Sequence, residues 1–119
     1  MGLGNPLLGD DGVGWRVADE VERRLSHGEA ATDAVVERLC VGGLALMERL
    51  VGCAHAIVVD AFVSGSAPAG TVRSASLDDL DTSHASHLDS AHDASLLVAL
   101  EAGRALGAAL PARVDVVAV

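Results

Sequence analysis

Ala56-Ile57-Val58-Val59-Asp60-Ala61 decides the fold. It is a continuous apolar run, dominated by β-branched residues and ending in an acid. Such runs are typical of strands covered on both faces. Upstream, Gly42-Gly43 opens a helical pattern over residues 44–50. Before it, Val35, Val36, Leu39 and Val41 suit a short strand over residues 34–41. Earlier still, Val13, Val17, Val21 and Leu25 recur at helical spacing, so residues 11–27 form an amphipathic helix with Gly28 beyond its end. Residues 1–4 read as the last part of a strand that runs into the turn Gly4-Asn5-Pro6. Downstream, residues 65–70 form a loop around Pro68, and residues 71–75 a short strand. Residues 74–90, rich in Ser, Asp and His, form a surface loop. A helix follows over residues 92–107, with Leu96, Leu97, Leu100 and Leu106 as its apolar stripe, and residues 114–119 are a final strand. Strands alternating with helices imply an α/β fold. The expected architecture is a three-layer α/β/α domain over residues 1–119, with a twisted, mainly parallel sheet.

Composition narrows the function. Half of the 119 residues are hydrophobic, with one Trp, one Phe and no Tyr, so the core must be aliphatic. All eight basic residues are Arg, and seventeen carboxylates leave a net charge of -9. A surface of that sign repels phosphate backbones, which disfavours nucleic acid and anionic membranes as partners. It favours a metal cation or a partner with a basic patch. Cys40 and Cys53 form no disulfide framework and read as two small buried hydrophobes. No apolar run approaches the roughly 20 residues of a membrane span, and a cytoplasmic location is expected.

In parallel α/β sheets the working site lies at the carboxyl ends of the strands. Three positions should meet there. Asp10-Asp11 follow the first strand, Asp60 ends the central one, and His92 stands where a loop meets the last long helix. Two carboxylates and an imidazole suit a borderline divalent metal with positions left open. Simpler roles compete. Asp10 or Asp11 could be a helix N-cap, and His92-Asp93 a capping pair. An acid closing an apolar strand is costly to bury unless it is used. His27, His55, His84 and His87 default to solvated or structural roles. The G-x-S-x-G elbow, the H-E-x-x-H motif and the phosphate-binding P-loop are all absent.

Three blocks resemble the hydrogenase maturation protease family, and they stand in the family's order. The first is Gly2-Leu3-Gly4-Asn5-Pro6-Leu7-Leu8-Gly9-Asp10-Asp11-Gly12-Val13-Gly14. The second is Val58-Val59-Asp60-Ala61, followed by Gly65 and Pro68-Ala69-Gly70-Thr71-Val72. The third is Ser90-Ala91-His92-Asp93-Ala94-Ser95-Leu96. Gly42-Gly43 and the Leu-rich helix after them also match. The resemblance implies an endopeptidase that removes a C-terminal extension from the nickel-loaded large-subunit precursor of a nickel–iron hydrogenase. It assigns catalytic and metal-contacting roles to Asp11, Asp60 and His92, with the nickel carried by the substrate and held by the protease only transiently. Gly42 and Gly43 would give the substrate tail room.

The family pattern also sets expectations at the two ends. Relatives begin with a fuller first strand and continue past the last one into a further helix, so this chain reads as shortened at both ends. A clipped first strand would weaken the position of Asp11. An uncovered sheet face would lower stability or drive homodimerisation. A non-catalytic relative that binds only metal or precursor is the alternative reading. Gly2-Leu3-Gly4-Asn5-Pro6 also opens peptidyl-tRNA hydrolases, but that enzyme needs a basic surface and a Tyr, and this chain offers neither.

Overall fold

The computed structural model describes residues 1–28, 33–62, 67–77 and 91–119, with residues 91–94 described by their backbone alone. The strands are β1 (Gly2–Leu3), β2 (Arg38–Leu39), β3 (His55–Asp60), β4 (Arg73–Ser76) and β5 (Arg113–Ala118), in the spatial order β2-β1-β3-β5-β4. β1 pairs parallel with β2 and β3, and β3 pairs parallel with β5 along its whole length, from His55 opposite Arg113 to Asp60 opposite Ala118. β4 closes the far edge antiparallel to β5. The sheet is mainly parallel, as the alternating pattern requires.

Among the described residues, three helices connect these strands. α1 (Val13–Ser26) follows a 3-10 turn at Gly9–Gly12, α2 (Gly43–Leu50) follows β2, and α3 (Ala91–Ala105) precedes β5. α2 and α3 pack together on one sheet face. There Leu3, Ala56, Val58, Val114 and Val116, alternate positions along their strands, meet Leu46, Met47 and Leu50 of α2 and Leu96, Ala99 and Leu100 of α3. This is the core, aliphatic apart from one Met, and each fully buried Leu or Val contributes roughly 1.5–3 kcal/mol. α1 lies on the opposite face, against β1 and β3. Among the described residues no helix is long and apolar enough to cross a membrane.

The structure corrects four expectations. The strand expected over residues 34–41 is reduced to Arg38–Leu39. Its neighbour β1 is itself only Gly2–Leu3, so residues further upstream have no ladder to join. Ile57, read as covered on both faces, is 50% exposed, because α1 does not reach across that part of the sheet. Leu106 lies beyond the end of α3 and is 88% exposed rather than part of its apolar stripe. The strand expected over residues 71–75 is found at Arg73–Ser76, so Ser76, expected only in the loop, completes β4. The rest of that expected loop, residues 78–90, falls outside the described residues, as does Gly65.

Candidate active site

The carboxyl edge of the parallel strands is built by close backbone packing. At Gly14, in the first turn of α1, a Cβ would lie 2.3 Å from the Leu3 carbonyl oxygen and 2.5 Å from that of Val59. Only a glycine lets the helix rest directly on β1 and β3 here. The contact seats the amino end of α1 over the β1–β3 seam, one residue short of Asp60. Gly4 makes the matching contact from the other side. Its φ is +115°, and a Cβ there would meet the Asp11 carbonyl oxygen at 1.8 Å. The 3-10 turn is thereby held against the end of β1.

These contacts separate the two neighbouring acids. Asp10 is exposed, whereas Asp11 is half-buried and accepts the Asn5 N–H through Oδ2 at 2.7 Å. Asn5 in turn accepts the Leu7 N–H through Oδ1 at 3.0 Å, which fixes the turn. Asp11 also precedes the amino end of α1, where the helix dipole favours a carboxylate. The sequence reading gave Asn5 no such task. An asparagine two residues before an apolar pair after a glycine was the available signal.

Asp60 ends β3 and is 3% exposed, the only buried charged residue among those described. Its Oδ1 accepts the Ala61 N–H at 2.9 Å. Ala56 and Val58 face α2 and α3, so strand alternation turns Asp60 to that same side. A charge at that depth costs several kcal/mol unless other groups engage it.

His92 lies in the first turn of α3, and the backbone path shows which edge that turn occupies. One turn further on, Ser95 Oγ stands 3.4 Å from the position a Cβ would take on Gly43, the first residue of α2. α2 begins just after the carboxyl end of β2. The other end of α3 returns beside the start of β3, where the Gly52 N–H donates to the Ala109 carbonyl at 2.7 Å and the Ala112 N–H to the Ala54 carbonyl at 3.3 Å. α3 therefore runs from the carboxyl edge to the amino edge. Its first turn sits on the rim and on the sheet face that Asp60 faces. Asp11, Asp60 and the backbone of His92 share one edge of the sheet. The His92 side chain lies outside what is described, and among the described side chains no three potential ligands cluster.

Of the remaining histidines, His27 caps the carboxyl end of α1, and His55 Nε2 lies 2.8 Å from Asp115 Oδ2, far from this rim. His84 and His87 fall outside the described residues. Both cysteines are free. Cys40, expected to be buried, is exposed on the rim directly after β2, with its Sγ 3.0 Å from the Gly4 carbonyl oxygen. Its position between the end of a strand and Gly42-Gly43 was the signal that the sequence reading passed over.

No protein-family model and no curated protein sequence matches the chain. Solved structures do. The chain is similar to the hydrogenase maturating endopeptidase HybD from Escherichia coli, with a TM-score of 0.68 and 28% identity over 99% of this chain and 70% of that one. An endopeptidase from Escherichia coli solved in solution gives a TM-score of 0.69 and 28% identity over 98% and 69% of the two chains. The hydrogenase 2 maturation peptidase of a Thaumarchaeota archaeon gives 0.57 and 26% over 98% and 74%. In both fold and matched sequence, along nearly its whole length, the chain is similar to hydrogenase maturation endopeptidases.

Proposed function

We propose that this chain, acting as a single domain, is an endopeptidase that removes the C-terminal extension of a nickel-loaded nickel–iron hydrogenase large-subunit precursor. The observation that carries this reading is Asp60. It is a carboxylate kept 3% exposed at the end of the central strand, on the edge where Asp11 also sits. An acid in that place is positioned to meet a cationic substrate group at the carboxyl edge.

In this reading Asp11, Asp60 and His92 engage the nickel that the precursor carries. Binding fixes the scissile bond near the rim, and the gain from such positioning is large. A carboxylate of the pair then takes a proton from water as it attacks the peptide carbonyl. Nickel, while bound, adds Lewis-acid polarisation of the reacting groups. Gly42 and Gly43, at the start of α2 on the same edge, leave space for an extended tail. The net charge of -9 suits a partner that presents a cation or a basic patch. Two free thiols suit a reducing, cytoplasmic setting.

The test is incubation with nickel-loaded and nickel-free precursor, followed by mass measurement. The wild-type chain should shorten only the loaded form. Asp60→Asn retains an oxygen for the Ala61 N–H but removes the charge, and cleavage should fall by at least 100-fold. Undiminished cleavage by this variant would reject the assignment. Binding of loaded precursor by the wild-type chain without any mass change would favour a non-catalytic role.

A further inference from the structure

Three strands each place one residue in a row at the carboxyl edge. Asp60 of β3 lies opposite Ala118 of β5, and Ala118 lies opposite Arg73 of β4. Residues paired across a sheet turn their side chains to the same face. Ala56, Val58, Val114 and Val116 identify that face for β3 and β5 as the one covered by α2 and α3. Leu77, buried in the same core, continues the alternation of Arg73 and Ala75 and identifies it for β4. Arg73 therefore shares with Asp60 both the edge and the face of the sheet, and the first turn of α3 lies there too. At about 4.8 Å per strand, the two α-carbons are roughly 10 Å apart. Only the Ala118 methyl stands between them in the row.

The Arg73 side chain leans inward from its edge strand. Its Cζ stands 5.8 Å from the centroid of the Phe62 ring. Phe62 follows Asp60 by two residues, and its N–H donates to the Val119 carbonyl at 2.9 Å, which carries the pairing of β3 with β5 past Asp60. A guanidinium over an aromatic face is attracted by the ring quadrupole. Here that attraction draws the cation across β5 toward the end of β3. A contact of this kind uses none of the five N–H donors of the group, which stay ready for an oxygen acceptor. Arg23, Arg24, Arg38, Arg49 and Arg113 each pair with a carboxylate, whereas Arg73 has no such pair among the described residues.

We propose that Arg73 is the oxyanion-binding residue of the cleavage, its guanidinium donating to the carbonyl oxygen of the scissile peptide bond. This rests on the peptidase reading and fills a role that Asp11, Asp60 and His92 leave open. As water adds to the carbonyl carbon, one of its protons passes to a carboxylate at the rim, and the π pair moves onto the carbonyl oxygen. When the C–N bond breaks, the pair on oxygen re-forms the carbonyl. The C–N pair leaves on nitrogen, which takes the proton from the carboxylate. The products are an amine and a carboxyl group, and the latter ionises at neutral pH. Negative charge therefore falls on this oxygen in the intermediate and again in the product. In a chain of net charge -9, with Asp11 and Asp60 on the same rim, that charge is opposed unless a fixed cation meets it. A guanidinium fork suits both the single oxygen and the two oxygens of the product carboxylate. At roughly 3.3 Å per residue, about three residues of extended substrate span the row from Asp60 to Arg73. A cationic group held at Asp60 and a peptide carbonyl at Arg73 can thus belong to one bound substrate.

The test measures kcat and KM for nickel-loaded precursor, with cleavage followed by mass, in the intact chain and in Arg73→Gln, Arg73→Lys and Arg16→Gln. Arg73→Gln should lower kcat by roughly 100-fold, the effect of removing one oxyanion donor, while KM changes by less than about threefold. Arg73→Lys keeps the charge without the fork and should recover about tenfold of that loss. Arg16 is exposed on α1, on the other face of the sheet, so Arg16→Gln makes the same change in net charge and should cleave as wild type does. Urea unfolding verifies that each variant is folded. A wild-type kcat in Arg73→Gln would overturn the inference, as would a change confined to KM or an equal loss in Arg16→Gln. Each of these results leaves the peptidase reading standing, because the wild-type chain still cuts. A wild-type chain that cuts nothing rejects that reading, and the role of Arg73 falls with it.

Discussion

Replacing Gly14 by Ala tests the contact on which the site is built. Alanine is the better helix former by about 1 kcal/mol, so propensity alone predicts stabilisation. The packing predicts the reverse. The new methyl carbon would sit 2.3 Å from the Leu3 carbonyl oxygen, 2.5 Å from that of Val59 and 2.7 Å from the Leu3 nitrogen. All three neighbours are main-chain atoms of hydrogen-bonded strands, so none yields by rotating a side chain. Relief requires the amino end of α1 to lift by roughly 1 Å, and overpacking of this kind costs about 1–3 kcal/mol, occasionally more. Against the propensity gain of about 1 kcal/mol, a cost at the upper end of that range leaves a net loss of about 2 kcal/mol, which for a chain of this size lowers Tm by roughly 8 °C. Gly103→Ala is the control. A Cβ there meets Leu110 Cδ1 and Met47 Sδ at 3.0 Å and Met47 Cε at 3.4 Å, all in the outer part of flexible side chains. That variant should stay within about 1 kcal/mol of wild type. Urea unfolding followed by the fluorescence of Trp15, which donates from Nε1 to the Leu39 carbonyl, reads both variants. The lift also moves Asp11, so cleavage of loaded precursor should fall with stability in Gly14→Ala and not in Gly103→Ala. If Gly14→Ala proves as stable as Gly103→Ala, α1 does not rest on β1 and β3 as described.

Three further outcomes are expected. Asp11→Ala removes the acceptor of the Asn5 N–H and should cost about 1 kcal/mol of stability in urea unfolding, together with cleavage; Asp10→Ala, at an exposed position, should leave both within error. Val58→Ala should cost about 2 kcal/mol because the side chain is fully buried, whereas Ile57→Ala, half exposed on the other face of the same strand, should cost less than about 1 kcal/mol by the same measurement. Glu20 is held at about 2, below its ordinary 4.5, by bonds from Arg23 and then Arg24. A depressed carboxyl stabilises the fold above its unfolded value and loses that contribution as pH falls through the folded one. Acid titration of stability should therefore be shallower between about 4.5 and about 2 in Glu20→Gln than in wild type.

The central strand was legible because its signal is local and continuous: residues 55–60 need only their own apolar run to be read. The same run misled about Ile57, since coverage of a sheet face depends on how far α1 reaches, a property of helix placement that no window of sequence contains. The expected strand at residues 34–41 failed for a related reason. Its β-branched residues fit a strand, but pairing needs a partner, and β1 offers only Gly2–Leu3. Topology was the more dependable guide to the site. A chain that leaves one parallel strand and re-enters its parallel neighbour must return from the carboxyl edge to the amino edge, so Asp11 and the first turn of α3, between β3 and β5, fell on one rim even with antiparallel β4 inserted before α3. What the pattern could not supply was the choice between Asp10 and Asp11, which rests on a single bond from Asn5 and the contact at Gly4.

A short first strand does not by itself loosen Asp11. The groups that fix the acid all lie at or beyond the carboxyl end of β1: the Asn5 N–H, the backbone of Gly4, and Gly14 wedged between Leu3 and Val59. β1 is pinned on both sides between Met1 and Gly4, through the Gly2 N–H to Glu37, the Gly4 N–H to Leu39 and the two bonds between Met1 and β3. Added length on the amino side of β1 would extend these ladders away from the rim and leave its pins unchanged. The position of Asp11 is thus set by main-chain contacts at the carboxyl end of the sheet, not by the length of β1.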